Sequence, residues 1–179
     1  MRFRLNLLLL LTAVVFIAAG CGFKLRGDYG LPSGIQNLQL SAVQNNAPLH
    51  RILNNQLQSF DIAVWDAQSN QKQLNKSMDV VVYLTSDQLE RRLLSLFSTG
   101  QVAEYELVYS IKYQLQFPNQ DPQEIAFDVT REYQDDPDAV LAKSRELDLI
   151  QNEMRIEAAN RIIRQIASSY VTWQQMTGG

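Results

Sequence analysis

The sequence predicts an α+β fold, a two-layer sandwich in which two helices pack on one face of a mixed sheet of four to five strands. Two segments carry apolar residues at helical spacing, and residues 104–117 alternate strictly between apolar and polar side chains. Turn-rich stretches separate the other alternating segments. Two apolar helix stripes and one apolar sheet face can bury one another, which leaves the opposite sheet face polar and uncovered.

The first half of the predicted domain reads as strand, helix and strand. Residues 35–40 alternate and predict a short strand. Asn46 is the expected N-cap of a helix that holds Pro48 in its first turn, where a missing N–H does no harm. The apolar face of this helix comprises Leu49, Ile52, Leu53, Leu57 and Phe60. A short strand at 62–65 and a polar loop at 68–76 follow.

Three strands joined by two hairpin turns are predicted next. Residues 78–97 begin as a strand and then also fit a helix; we favour a strand bent by a bulge, because it leads through 98–101 directly into the next strand. The strand at 104–117 has its apolar side chains at every odd position, namely Tyr105, Leu107, Tyr109, Ile111, Tyr113, Leu115 and Phe117. A turn at 118–123 precedes the last strand, at 125–133.

A long helix ends the predicted domain. Asp136 is its expected N-cap, and the carboxylate of Asp138 suits the positive end of the helix dipole. The apolar stripe of this helix comprises Leu147, Ile150, Met154, Ala158, Ile162, Ile166 and Tyr170.

Residues 1–21 have the order of a lipoprotein signal peptide. Two arginines precede an apolar stretch from Leu5 to Ile17, and Ala18-Ala19-Gly20 stand directly before Cys21. A small-residue cleavage site next to a cysteine resembles a bacterial lipobox, in which the thiol is acylated. The alternative is an uncleaved transmembrane helix, but the apolar stretch is shorter than the roughly 20 residues that a span needs. We expect cleavage after residue 20 and a membrane anchor of acyl chains on Cys21.

Composition bounds the organisation of the mature chain. The 179 residues include 16 basic and 19 acidic ones, and cleavage removes two arginines but no acid. The mature chain is therefore mildly acidic, and we expect no nucleic-acid partner. Cys21 is the single cysteine, so the fold must rest on its hydrophobic core rather than on a disulfide. We expect a lipidated tether at 21–34, one α+β domain at 35–172 and a C-terminal tail at 173–179.

Signatures of catalysis or cofactor binding are missing from the sequence. It has no G-x-S-x-G, no H-E-x-x-H, no P-loop and no glycine-rich dinucleotide turn. The single histidine, His50, is expected at the surface or boundary of the first helix. The carboxylates at 104–106 and 135–138 are expected to be solvated. We therefore expect a protein that is not an enzyme and that has no metal or cofactor.

Basic residues are the better candidates for a binding site. Arg91 and Arg92 lie near the hairpin end, and Lys143 and Arg145 lie in the first turns of the last helix. Guanidinium binds phosphate as a planar fork and ammonium binds it as a point charge. A cluster of these residues would hold an anionic lipid headgroup; scattered surface cations are the alternative.

Three short motifs occur in a fixed order along the chain. They are the run CGFKLRG at 21–27, GQVAEY at 100–105, and Ala142-Lys143 shortly before Asp148-Leu149-Ile150. In this order behind a lipobox they resemble the LptE family of lipopolysaccharide-assembly outer-membrane lipoproteins, also called RlpB. The resemblance covers the chain from 21 to about 170.

The resemblance implies a location, partners and a site. The protein would lie at the periplasmic face of the outer membrane of a Gram-negative bacterium, plug the LptD β-barrel, help that barrel to assemble, bind lipopolysaccharide and assist its delivery to the outer leaflet. In that family, basic residues on the hairpin and near the start of the last helix contact the lipid phosphates. Lys143 matches the second position. Ser98 occupies the first, so its role would pass to Arg91 or Arg92.

Two other functions remain open from the residues. One is a different non-enzymatic periplasmic lipoprotein, such as a lipoprotein carrier or a secretion pilot, and a carrier should contain an apolar cavity. The other is a cell-wall hydrolase, which would require a buried Asp or Glu in a cleft.

Overall fold

The sheet and helices follow the predicted order. The computed structural model describes residues 30–44, 47–66 and 77–178. Its elements are β1 (Asn37–Ala42), α1 (Pro48–Gln58), β2 (Ala63–Asp66), β3 (Val80–Leu96), β4 (Val102–Gln116), β5 (Gln123–Gln134) and α2 (Val140–Thr177). The five strands form one sheet in the order β2-β1-β3-β4-β5. β1 pairs in parallel with β2 and β3, while the β3–β4 and β4–β5 hairpins are antiparallel. The predicted α+β fold with a mixed sheet is confirmed.

One apolar core joins the two helices to a single sheet face. The odd-numbered side chains of β4 from Leu107 to Leu115 are buried, and they belong to the same core cluster as Leu53 of α1 and Ile162 of α2. The predicted alternation of β4 is therefore confirmed. Val108, on the opposite face, is nevertheless only 1% exposed. It lies in the central part of the sheet, with Glu90 and Thr130 opposite it on the two adjacent strands.

The start of α1 shows two departures from prediction. Pro48 lies in the first turn as predicted, but the N-cap position belongs to Ala47, with no side-chain cap hydrogen bond. Asn46, the expected cap, lies outside the described residues, as does the expected loop at 68–76. His50 is only 6% exposed, so its prediction as a surface or boundary residue was wrong. α1 contacts both α2 and the sheet. Because two sides of the helix are covered, only part of its circumference remains exposed to solvent.

The last helix begins later than predicted. α2 starts at Val140 with Ala139 at the N-cap position, so the prediction of Asp136 as the cap was wrong. A carboxylate oxygen of Asp136 instead accepts a hydrogen bond from the backbone N–H of Asp138. Asp side chains often bond to the backbone two residues ahead, and this arrangement competes with helix formation. Asp136 therefore shapes the turn that precedes α2.

The end of α2 also extends past the predicted domain boundary at 172. The helix continues to Thr177, and Trp173 still packs on the core, with its ring stacked on Phe117 at a centroid distance of 5.7 Å. None of the helices within the described ranges has an apolar stretch long enough to cross a membrane.

β3 is a single strand bent by irregularities, as predicted. Its pairing with β4 shifts register between Leu84 and Ser86 and again on both sides of Ser95. β1 pairs with β3 only as far as Leu84. The outer part of β3 therefore projects past β1, paired with β4 alone.

The projecting hairpin gives the domain two distant ends. The tip end comprises the β3–β4 turn with its flanks, 93–102, and the segment 134–143. The other end, where β1 begins and α2 finishes, is the anchor end, and there the backbone of Gly34 lies against the Tyr170 ring. β4 has 15 residues, which at about 3.3 Å per residue span roughly 50 Å.

Candidate functional site

Lys143 lies in the first turn of α2, at the tip end. The hydroxyl of Tyr133, at the end of β5, donates a hydrogen bond of 2.8 Å to the Lys143 carbonyl. The ammonium Nζ lies 5.4 Å from the centroid of the same ring and donates a hydrogen bond of 2.9 Å to Glu146. That bond to Glu146 raises the pKa of Lys143. Lys143 is therefore a fixed cation at neutral pH.

Arg91 and Arg92 lie on opposite faces of the sheet. Arg91 is paired across the hairpin with buried Leu107, so it lies on the helix face. Burial raises the pKa of Tyr133, and the positive charges of Lys143 and Arg91 oppose that rise. Arg92 is paired with Glu106 on the uncovered face, and the two form an ion pair of 3.8 Å. Of the two predicted arginines, only Arg91 shares a face with Lys143.

The irregularity near Thr85 decides which arginine lies on the helix face. Before this irregularity, even-numbered residues of β3 such as Val82 are paired with buried residues of β4. After it, odd-numbered residues such as Asp87 and Leu89 are paired with buried residues of β4. A shift of one residue exchanges the two faces of a strand. If the alternation that begins at Val82 continued without interruption, Arg92 would lie on the helix face and Arg91 would lie on the uncovered face.

Two buried tyrosines whose hydroxyls donate hydrogen bonds were not singled out as functional from the sequence. Tyr133 holds Lys143 through a hydrogen bond. Because Tyr133 belongs to the alternating apolar residues of β5, the sequence pattern indicated only a core residue. Tyr109 donates a hydrogen bond of 2.8 Å to Asp87 beneath α2. Burial, and then the hydrogen bond to Asp87, raise the pKa of Tyr109.

A groove of about 520 Å³ separates the hairpin turn from the start of α2. It is lined by Phe97, Ser98, Thr99, Gln101, Gln134, Asp135, Asp136, Pro137, Asp138 and Lys143. The carboxylates of Asp135 and Asp136 each accept a backbone N–H from the turn. The groove is open and mostly polar, so it does not resemble the apolar cavity that a lipoprotein carrier requires.

The uncovered sheet face is broad and acidic. Strand pairing assigns to it the carboxylates of Glu90, Glu104, Glu106, Glu124, Asp128 and Glu132 and the cations of Arg92 and Lys112. Most of these side chains are exposed or half-buried. The predicted hydrophilic face is therefore present, and its charge is predominantly negative.

The described carboxylates do not match those of a cell-wall hydrolase. Over 30–44, 47–66 and 77–178, no Asp or Glu is buried, whereas a glycosidase needs a carboxyl group whose pKa is raised by its surroundings. No group of three or more potential metal ligands was found in this part of the chain either. Cys21, the predicted site of lipidation, lies outside it.

Comparison with known families and sequences gives consistent results. A family model described as "LptE: Lipopolysaccharide-assembly" matches residues 35–166. The LPS-assembly lipoprotein LptE of Pectobacterium atrosepticum is 35% identical over 166 residues, which cover 93% of this chain and 86% of the relative. The protein of the same name from Yersinia enterocolitica is 32% identical, over 93% of this chain and 77% of the relative.

Solved structures extend the similarity to the fold. The rare lipoprotein B of Shewanella oneidensis has 36% sequence identity and a TM-score of 0.67, with 78% of this chain and 99% of that chain covered. A lipoprotein B from Nitrosomonas europaea shares the fold at 24% identity, with a TM-score of 0.63 and coverage of 87% and 97%.

Proposed function

The chain belongs to the LptE family of lipopolysaccharide-assembly lipoproteins, and from this premise we propose that it plugs the LptD β-barrel in the outer membrane and binds lipopolysaccharide. It assists assembly of the barrel and delivery of the lipid to the outer leaflet. Acyl chains on Cys21 hold it at the periplasmic face of a Gram-negative outer membrane. The role is non-enzymatic.

The observation that carries the proposal is the distance between the two ends of the domain. The tether joins the domain at the anchor end, and Lys143 lies at the tip end, bonded to Tyr133, which pairs with Tyr105 of β4. The part of β4 from Tyr105 to Gln116 spans roughly 36 Å. The hydrocarbon core of a bilayer is about 30 Å thick. A protein anchored in one leaflet can therefore present its tip at the level of the other leaflet, provided that it is enclosed in a barrel.

The uncovered sheet face supports enclosure in a barrel. Large outer-membrane barrels have polar interiors, so a plug must bury its apolar side chains in its own core and present polar ones to the wall. The six carboxylates and two cations of this sheet face meet that requirement. They also favour a barrel wall that carries basic side chains opposite them.

The cations on the helix side of the tip end support binding of the lipid phosphates. Lys143 is held in place by Tyr133, and Arg91 is exposed on the same side. Arginine and lysine are the usual phosphate ligands of proteins. We assign the phosphate contact to Lys143 and Arg91, and we assign Arg92 to the acidic sheet face, where it pairs with Glu106.

Purification of the lipidated full chain from outer membranes tests the barrel partnership. We expect one large β-barrel protein to co-purify in equal amount. Replacing Lys112 by a photo-crosslinking residue should yield covalent complexes with that barrel, because this exposed side chain lies on the uncovered face. A chain that purifies without a barrel partner would contradict the plug role.

A matched pair of charge reversals tests the lipid site. Arg91→Glu and Arg92→Glu change the net charge equally and lie on adjacent residues. We expect Arg91→Glu, like Lys143→Glu, to weaken binding of purified lipopolysaccharide at least tenfold and Arg92→Glu to leave it within about twofold, because the latter points away from Lys143. Equal effects of the two arginine variants would contradict the assignment.

A further inference from the structure

Large apolar side chains are concentrated at the tip end. On the hairpin, Leu93, Leu94, Leu96 and Phe97 are between 44% and 55% exposed, and across the groove Val140 and Leu141 are 65% and 81% exposed. Monomeric soluble domains rarely leave such residues side by side in water, and a contiguous exposed patch usually marks a binding surface. The tip end is therefore built to contact something apolar.

The local geometry explains why the hairpin cannot bury these side chains itself. The register shifts on both sides of Ser95 break the alternation of β3, so consecutive leucines are exposed. β1 pairs with β3 only as far as Leu84, so the outer part of β3 has no neighbouring strand on that side. β5 follows β4 as far as Glu104, which lies opposite Ser95. The residues from Leu96 to Val102 therefore extend past both neighbouring strands.

Charge beside the apolar patch specifies the chemistry of the ligand. Phe97 and Lys143 line the same groove, and Arg91 precedes Leu93 by two residues on the same side of β3. Alkyl chains match the leucines, and an anionic headgroup matches the two cations. The groove is also lined by Asp135, Asp136 and Asp138, of which the first two accept backbone N–H groups. Lys143 is the cation of this lining that can contact an anion.

We propose that the hairpin tip and the first turn of α2 form an acyl-chain subsite for the same lipid whose phosphate Lys143 and Arg91 bind. This inference rests on the proposed function and adds to it the residues that hold the hydrocarbon. Leu94, Leu96 and Phe97 contact the chains from the hairpin, and Val140 and Leu141 contact them from α2. The tip thereby shields part of the lipid's hydrocarbon from water.

The test compares intact lipopolysaccharide with lipopolysaccharide whose acyl chains have been removed while its sugars and phosphates are retained. The protein is the lipidated full chain in phospholipid nanodiscs. The tip variant is Leu94→Ser with Leu96→Ser. Its matched control is Val171→Ser with Met176→Ser, two residues near the anchor end that are 45% and 70% exposed.

The two probes separate the acyl-chain contact from the phosphate contact. We expect the tip variant to bind intact lipopolysaccharide at least tenfold more weakly than the wild type and the control to stay within twofold. With the deacylated probe, the tip variant and the wild type should agree within twofold. Lys143→Ala should weaken binding of both probes. Unchanged thermal unfolding of the tip variant verifies that its fold is intact.

Each other outcome overturns the inference. Wild-type affinity of the tip variant for intact lipopolysaccharide would remove the subsite while leaving the proposed function in place. Loss of barrel co-purification with unchanged lipid binding would identify the tip as a protein interface instead. Equal weakening with both probes would show that the leucines act through the headgroup. A wild-type chain that binds neither probe would overturn this inference together with the lipid-binding half of the proposed function.

Discussion

The hydroxyl of Tyr133 donates a hydrogen bond of 2.8 Å to the backbone carbonyl of Lys143. This bond joins the end of β5 to the first turn of α2, and the same ring lies beneath the Lys143 ammonium. The position of the proposed phosphate ligand therefore depends on a side chain that is itself 5% exposed.

Tyr133→Phe removes this hydrogen bond but keeps the ring. We expect the free energy of unfolding to fall by about 1 kcal/mol, the usual net contribution of a hydrogen bond, and lipopolysaccharide binding to weaken. Urea unfolding and direct binding measure the two effects. Tyr83→Phe, on the uncovered face and 37% exposed, is the control and should change neither. Unaltered lipid binding by Tyr133→Phe would show that Lys143 does not depend on this tyrosine.

Glu146→Gln frees the ammonium of Lys143 from its carboxylate partner. Because this ion pair is partly exposed, we expect the substitution to cause little loss of stability. Removal of the competing carboxylate should strengthen lipopolysaccharide binding by about two- to fivefold, the range that exposed ion pairs contribute. Glu153→Gln, an exposed acid elsewhere on α2, is the control for net charge. Weaker binding by Glu146→Gln would mean that Glu146 holds Lys143 in its binding position.

Truncation on the two faces of β4 should have very different effects. Ile111 is 1% exposed in the core, and Ile111→Ala should lower the free energy of unfolding by about 2–5 kcal/mol. Gln114 lies on the uncovered face, and Gln114→Ala should change stability by less than about 0.5 kcal/mol. Thermal and urea unfolding compare them. Equal losses would contradict the observed assignment of faces.

Stability should decline in alkali because of the buried tyrosines. Burial raises the pKa of Tyr109 above its ordinary value of 10.0, and burial also raises the pKa of Tyr113. In the unfolded chain these phenols ionise near pH 10, whereas in the folded chain they stay protonated. Their contribution is complete below about pH 10 and is lost progressively above it. Urea unfolding between pH 8 and 11.5 should show a shallower decline for Tyr109→Phe than for the wild type, and parallel curves would contradict this.

Cys21→Ala tests the predicted anchor. Several acyl chains give stable membrane attachment where one chain gives only marginal binding. We expect the variant to lose lipidation and signal cleavage and to be absent from the outer membrane, as measured by mass spectrometry and membrane fractionation. Acylated variant protein in the outer membrane would exclude Cys21 as the lipidation site.

The α+β fold was predictable because its signals are local. The alternation along β4 and the helical spacing of Leu49, Leu53 and Leu57 each depend on residues close in sequence, and burial confirms both. Helix starts were less predictable. Asp136 has the chemistry of an N-cap, but its carboxylate bonds within the preceding turn, and residue type does not distinguish the two arrangements.

The candidate site was likewise predictable from the sequence only in part. Residue type marked basic residues near the hairpin and at the start of the last helix, and the family resemblance then singled out Lys143, with Arg91 or Arg92 in place of Ser98. Only the tertiary structure decided that Arg91 shares the helix side with Lys143 and that Arg92 does not. One irregularity near Thr85 exchanges the faces of β3. The position of such an irregularity depends on the pairing with β4, whose partner residues lie 20 to 30 positions further along the chain and cannot be read from alternation within β3 itself.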